Sequence, residues 1–200
     1  MVDWESRYRN ADTPWCKGRP HPMLASMLDR VLPPDFTGRV VAPGCGRAWD
    51  LAAIASARPG ATIVGIDISQ FAIDDVAEPV RGHPRIELMT GDFLDAGWLM
   101  REVGVVDFLW EHTCFCAIDP LRRPDYAASA SAILKPGAPL AGVFFLNLDE
   151  EGEGPPWNCP QPELERHFGD AFQIEQCELA VETFDGRQGE ESAVIMRRRA

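Results

Sequence analysis

The 200-residue chain is short of positive charge, of long apolar runs and of paired cysteine motifs, and each shortage closes off a class of function. Nineteen Lys and Arg stand against 31 Asp and Glu, a formal charge of -12 at pH 7. Such an excess repels nucleic acid and anionic lipid, whose non-specific binding depends on Lys and Arg neutralising phosphate, so neither nucleic acid nor membrane is an expected partner. The basic run Arg197-Arg198-Arg199 ends a strand-like segment and reads as a solvated terminus. No window approaches the roughly 18 to 20 apolar residues of a membrane span. Met1-Val2-Asp3-Trp4-Glu5 lacks the basic and apolar regions of a secretory leader, which makes the cytoplasm the expected location. The six cysteines, Cys16, Cys45, Cys114, Cys116, Cys159 and Cys177, contain no CxxC and the four histidines are not clustered with them. That scatter argues against a metal site and for free thiols.

What is present is enough apolar matter, 46% with 9% aromatic, for one globular domain over residues 1–200. Residues 1–32 carry Trp4, Tyr8 and Trp15 and then a short helical pattern over 23–32; they read as a cap or lid on a core of residues 33–200. Pro33-Pro34 and Gly38 punctuate the chain before the core begins. Strand-like runs are expected at 39–43, 62–67, 85–89, 105–110 and 140–146, alternating with helices at 49–57, 70–80, 97–102 and 124–134. Such alternation signals parallel βαβ units. A loop at 149–156 and a helix at 162–168 precede segments 172–179 and 192–198, which pair most simply as an antiparallel hairpin around Asp185-Gly186-Arg187. The expected fold is therefore α/β: a three-layer, Rossmann-like sheet of five parallel strands finished by a C-terminal antiparallel hairpin, the class I methyltransferase architecture, under an N-terminal aromatic lid.

Three short stretches carry chemistry, each at the carboxyl end of an expected strand, where open α/β sheets bind ligands. The first is Pro43-Gly44-Cys45-Gly46-Arg47-Ala48-Trp49, a GxG turn in which glycine lets the backbone approach a ligand closely. A dinucleotide fold would want a third glycine where Trp49 stands. S-adenosylmethionine has no phosphate and suits a turn without it. The second is Gly65-Ile66-Asp67-Ile68-Ser69: Asp67 can accept from both ribose hydroxyls, leaving Ser69 to cap the next helix. The third is Thr90-Gly91-Asp92-Phe93, where Asp92 can accept from an adenine amino group and Phe93 can wall the base. Any one of these stretches alone could be a plain turn; three in this order point to S-adenosylmethionine as cofactor.

With these residues in view, the chain resembles the thiopurine S-methyltransferase family, a group that includes plant and bacterial thiol and halide methyltransferases. The similar stretches are Trp4-Glu5-Ser6-Arg7-Tyr8 with Thr13-Pro14-Trp15, the Pro43-Gly44-Cys45-Gly46 turn, 64–69, 107–126, and Gly154-Pro155-Pro156-Trp157 with 163–169. Cys116-Ala117-Ile118-Asp119-Pro120 and the Gly-Pro-Pro-aromatic segment are the more specific parts. The resemblance implies that Trp4 and Gly44 contact the cofactor, that Asp67 holds its ribose, that Trp15 borders cofactor and acceptor, and that Arg123 lies beside the active site. Cys45, Gly46, Ile68 and Glu111 are expected on the cofactor side with them. It also implies a monomer acting on a small acceptor: a thiol, sulfide, selenol or halide. Where the family often has Asp-Tyr after the fourth strand, this chain has Glu111-His112.

Methyl transfer asks the protein to align acceptor and methyl and to exclude water. For a thiol acceptor a base or a positive charge raises the thiolate fraction. His112 is the candidate base and Arg123 the candidate charge. Against these stand plainer roles, a histidine hydrogen-bonded at a strand end and an arginine solvated at a helix start. Two whole-protein alternatives also stand: a binding protein that keeps the cofactor pocket without chemistry, and a nicotinamide-dependent oxidoreductase.

Overall fold

Strand β1 (Arg39–Pro43) lies inside a seven-stranded sheet in the computed structural model of the chain, which describes residues 2–148 and 154–200. Its neighbours are β2 (Thr62–Asp67), β3 (Ile86–Thr90), β4 (Phe108–His112), β5 (Pro139–Phe145), β6 (Phe172–Leu179) and β7 (Glu191–Arg198), in the order β3-β2-β1-β4-β5-β7-β6. The first five strands run parallel; β7 is antiparallel to β5 and to β6. This is the expected sheet, five parallel strands and a closing hairpin.

Helices cover both faces: α1 (Trp4–Arg9), α2 (Leu24–Val31), α3 (Trp49–Ala57), α4 (Gln70–Asp74), α5 (Ala96–Glu102), α6 (Arg123–Ile133) and α7 (Gln161–Phe168). Side chains alternate along a strand, and the two cores follow that period. Val41, Val64 and Leu109 face α5, α6 and α7 through Leu99, Tyr126 and Phe168, while Val40, Ile63 and Trp110 face α2 and α3 through Leu28 and Ile54. Since α2 buries Leu24, Met27 and Leu28 in the second core, it belongs to a covering layer of the sheet; the aromatics of residues 4–15 lie over the strand tips.

Two elements differ from the sequence expectation. The helix expected over 70–80 stops at Asp74 and resumes as one 3-10 turn at Glu78–Val80. Pro79 has no amide to donate and its ring crowds the preceding turn, so a continuous helix cannot pass through it. The fourth strand begins and ends later than the expected 105–110: Val106 makes only an isolated bridge to Leu134, and the strand continues through Glu111 and His112. Both polar residues find buried partners, which the apolar pattern cannot reveal. Of the loop expected at 149–156, residues 149–153 lie outside the described residues. No helix among the described residues is long and apolar enough to cross a membrane.

Candidate active site

After β3 the chain crosses back over β1 to lay down β4 on its other side, so the carboxyl ends of β1 and β4 flank a switch in winding direction where a crevice opens. A cavity of about 780 Å³ occupies that crevice, a volume typical of small-molecule sites.

One half lies over β1, β2 and β3. Gly44 and Gly46 turn with φ of +56° and +52°, and a Cβ would meet the Cys114 Sγ at 2.7 Å or the Tyr8 hydroxyl at 2.8 Å. Glycine is thus required by conformation and by space. Asp67 accepts from the backbone N–H of Gly46 and of Ser69, each at 2.9 Å, one bond per carboxylate oxygen, which leaves acceptor capacity on both. Burial pushes its carboxyl above the ordinary range against the pull of those amides. Ser69 caps α4 by accepting from the Ala72 N–H at 3.1 Å and donates its hydroxyl to Glu5 at 2.6 Å. Glu5 also accepts from the Phe71 N–H, so α1 is fastened to the entrance of α4. Asp92 is steadied by the Leu94 N–H at 2.9 Å, and Phe93 packs on Tyr126. Over these groups lie Trp4 and Trp15, edge to face at 5.2 Å, and Tyr8, whose hydroxyl accepts from the Trp15 indole. The Arg7 guanidinium sits 4.4 Å from the centre of the Trp15 ring, within cation–π range.

The other half lies over β4, β5 and the approach to β7. His112 Nδ1 is 2.7 Å from Asp50, which comes from the first turn of α3. Asp50 also accepts from the Trp110 indole at 2.8 Å and from the His21 backbone N–H at 2.8 Å. Burial opposes its ionisation, but His112, Trp110 and the His21 amide outweigh it and hold the carboxyl below the usual range. For His112, burial disfavours the charged ring and Asp50 more than offsets it, so its pKa is raised. The His21 ring stands edge to face on His112 at 4.9 Å. His21 Nδ1 accepts from the Met23 N–H and Nε2 lies 3.1 Å from Glu191, which makes Nε2 the protonated nitrogen. Burial lowers the pKa of His21. Glu191 also receives Arg187 at 2.8 Å and the Thr183 hydroxyl, and these partners with His21 overcome burial and bring its carboxyl down to about 2. Beside His112, Thr113 takes a φ of +56°, uncommon for a β-branched residue and of a kind that gathers at functional sites.

Trp4, Trp15, Gly44, Cys45, Gly46, Asp67, Ile68, Asp92, Phe93 and His112 all line this one cavity. Two expected residues do not. Glu111 is fully buried on the opposite side of β4 from His112, where it accepts from the Phe115 N–H at 2.9 Å and from the Tyr126 hydroxyl; burial pushes its carboxyl up to about 7. Arg123 is buried beneath the wall, donating to the carbonyls of Trp157 and Asn158 at 3.0 Å and to Glu163 at 2.9 Å, with Phe115 under its guanidinium. It holds the Trp157 segment in place, and its neighbour Arg122 is the one that reaches the cavity. Asp50, His21, Arg187 and Glu191 were not singled out by the sequence. Asp50 falls in the first turn of the helix expected at 49–57, and Glu191 lies just before the segment expected at 192–198; the available signal was the acid of Asp50 among the apolar residues Trp49, Leu51, Ala52 and Ala53.

A sheet wound in this order, with a glycine turn after its first strand and carboxylates after the second and third, is the fold of class I S-adenosylmethionine-dependent methyltransferases. A SAM-dependent methyltransferase from Methanosarcina mazei matches it with a TM-score of 0.67 at 18% identity, over 90% of this chain and 99% of that one. Within that class the chain belongs to the thiopurine S-methyltransferase family, whose family model matches residues 1–199. It is 34% identical over 157 residues to "Thiocyanate methyltransferase 1" of Brassica oleracea, covering 77% of this chain and 66% of that protein. It is 32% identical over 183 residues to "Probable thiol methyltransferase 2" of Arabidopsis thaliana, covering 89% of this chain and 78% of that protein. The chain thus spans about two thirds of the Brassica protein.

Proposed function

We propose that the chain moves a methyl group from S-adenosylmethionine to a small nucleophile, a thiol or sulfide ahead of a selenol or halide, acting as a cytoplasmic monomer. The observation that carries this reading is a single cavity in which the Gly44–Gly46 turn, Asp67 and Asp92 face a histidine held by a carboxylate. The residues suit the cofactor. Asp67 keeps free acceptor capacity on both oxygens for two ribose hydroxyls, Asp92 and Phe93 suit the amino group and face of adenine, and the aromatics at 4, 8 and 15 offer a surface to a sulfonium. Trp49 lines the cavity where a dinucleotide fold would need glycine, which disfavours a nicotinamide. Free thiols at all six cysteines agree with a reducing compartment.

The bound cofactor supplies a reactive methyl with a neutral leaving group. His112 takes the S–H proton of the acceptor; the sulfur electron pair forms the new S–C bond, while the pair of the broken C–S bond stays on the cofactor sulfur. Arg19 reaches the cavity on this side and favours an anionic nucleophile, although the chain as a whole is acidic. Titration calorimetry with S-adenosylmethionine and its demethylated product, followed by headspace gas chromatography with ethanethiol, sulfide, thiocyanate and iodide, tests the reading. Binding and a volatile methylated product are expected. No heat with either compound overturns it, and heat without product from any acceptor leaves a non-catalytic binding protein.

A further inference from the structure

We propose that Asp50 is the positioning residue of a general-base dyad with His112, fixing the ring so that an unprotonated Nε2 faces the acceptor, and that acceptors bearing a proton need this dyad whereas proton-free anions do not. The inference rests on the methyl-transfer reading above and adds to it which residue makes His112 a base and which acceptors depend on it.

The direction of every hydrogen bond at Asp50 is fixed by chemistry. The Trp110 indole and the His21 amide can only donate, and they take up acceptor positions on both carboxylate oxygens. These donors and His112 hold the carboxyl ionised against its burial, so Asp50 is the acceptor throughout and the 2.7 Å contact places the hydrogen on His112 Nδ1. In the neutral ring this leaves the lone pair on Nε2. Among the described residues Nε2 has no hydrogen-bond partner, and the His112 side chain, 21% exposed, lines the cavity. The carboxylate would also stabilise the imidazolium formed when Nε2 takes the proton.

Other charged groups near the ring do not supply this effect. His21, before α2, has its Nδ1 occupied by the Met23 amide and its Nε2 by Glu191, so it does not compete for Asp50 and stays neutral. Arg187, on the approach to β7, is paired with Glu191 at 2.8 Å, so the two largely cancel. Glu111, adjacent on β4, points to the other face of the sheet and is engaged by Tyr126 and Phe115. Arg19 sits over Phe184, which stacks on His112, and makes no bond to the ring; the charge bonded to His112 is that of Asp50. Proton balance is simple: the acceptor S–H proton passes to Nε2, the thiolate attacks the methyl, and the imidazolium loses its proton to water at the cavity mouth after the product leaves.

The test compares two acceptors on the same variants near pH 7. Ethanethiol is almost wholly protonated there, whereas thiocyanate has no proton to lose. Asp50→Asn and His112→Gln should each slow ethanethiol methylation by about 100-fold or more, a normal contribution for a general base, and slow thiocyanate methylation much less, so that the ratio of the two rates falls by about 10-fold or more. Equal losses on both acceptors, or no loss on either, overturn the dyad. So does a wild-type protein that methylates thiocyanate but not ethanethiol, an outcome that leaves the methyl-transfer reading standing. Loss of all transfer in the wild type removes that reading and the dyad with it. Because Asp50→Asn removes a buried acceptor and can fail to fold, a readout on the wild type stands beside it: 15N NMR of the histidine rings, assigned with His112→Gln, should give the Nδ1–H tautomer for neutral His112. The Nε2–H tautomer overturns the proposal whatever the kinetics show.

Discussion

The two halves of the cavity are built by opposite means. Over β1, β2 and β3 the chain uses backbone: two glycines at positive φ, and amides of residues 46 and 69 that orient Asp67. Over β4, β5 and β7 it uses side chains brought from far along the sequence, with Asp50 and His112 separated by 62 residues and His21 and Glu191 by 170. The first half is fixed largely by local conformation, with the Asp67 carboxylate held by the amides of its own turns. The second is a set of charges that hold one another in a buried place, and it stands or falls with their ionisation.

The sharpest way to break this contrast is Glu191→Ala. It strips a buried partner from His21, Arg187 and Thr183 at once, and removing one member of such a set costs about 3 to 5 kcal/mol because the others are left unpaired. The pH dependence has a definite sign. The Glu191 carboxyl is held down to about 2, below an ordinary glutamate near 4.3, so its contribution is present above the ordinary value and is lost as the pH falls through about 2. Urea unfolding of wild type and variant should therefore differ most at neutral pH and converge in strong acid. A difference below about 1 kcal/mol at neutral pH would mean that the side-chain half is not held by its charges.

Glu111→Gln is the next step down in size and has the opposite sign. Glu111 lies behind the wall, and its carboxyl, pushed up to about 7, resists ionisation. Its stabilising effect is full below an ordinary glutamate pKa and is lost as the pH rises through about 7, a span worth up to about 3 kcal/mol. The glutamine carbonyl can still accept from the Phe115 N–H. The variant should match wild type near pH 4 and exceed its melting temperature above pH 7. Equal melting temperatures at both ends would show that Glu111 ionises freely in the fold.

The same contrast explains what could be read from the sequence. The backbone half was legible because each of its pieces is a contiguous stretch: a GxG, an Asp at a strand tip, a Gly-Asp-Phe. The order of strands followed from alternation, and the hairpin from its turn. In the side-chain half only His112 stood out, and even its strand was placed too early, since Glu111 and His112 look like loop residues until Tyr126 and Asp50 are seen to receive them. Arg123 shows the limit of resemblance: it does lie near the site, but the carbonyls of Trp157 and Asn158 and the carboxylate of Glu163 bind it underneath the wall. Polar partners far apart in sequence leave no periodic trace, so the composition of this half emerges only once the chain is folded.

The smallest expected change in stability, and the most selective, comes from Gly46→Ala in the backbone half. At φ +52° an alanine pays a steric penalty of about 1 to 2 kcal/mol, with no buried charge exposed. Its Cβ would meet the Tyr8 hydroxyl at 2.8 Å, the far end of a side chain that can shift. Shifting it, however, disturbs the bond from the Trp15 indole and with it the aromatic cover. Stability should thus fall modestly and by about the same amount at neutral and higher pH, where Asp67 accepts from Gly46 as a carboxylate, while affinity for S-adenosylmethionine, measured by calorimetry, drops by about 10-fold or more, a loss of at least about 1.4 kcal/mol. A stability loss that disappears in the Glu191→Ala background would show that the turn is coupled to the charges of the other half, and the division between the two would have to be given up.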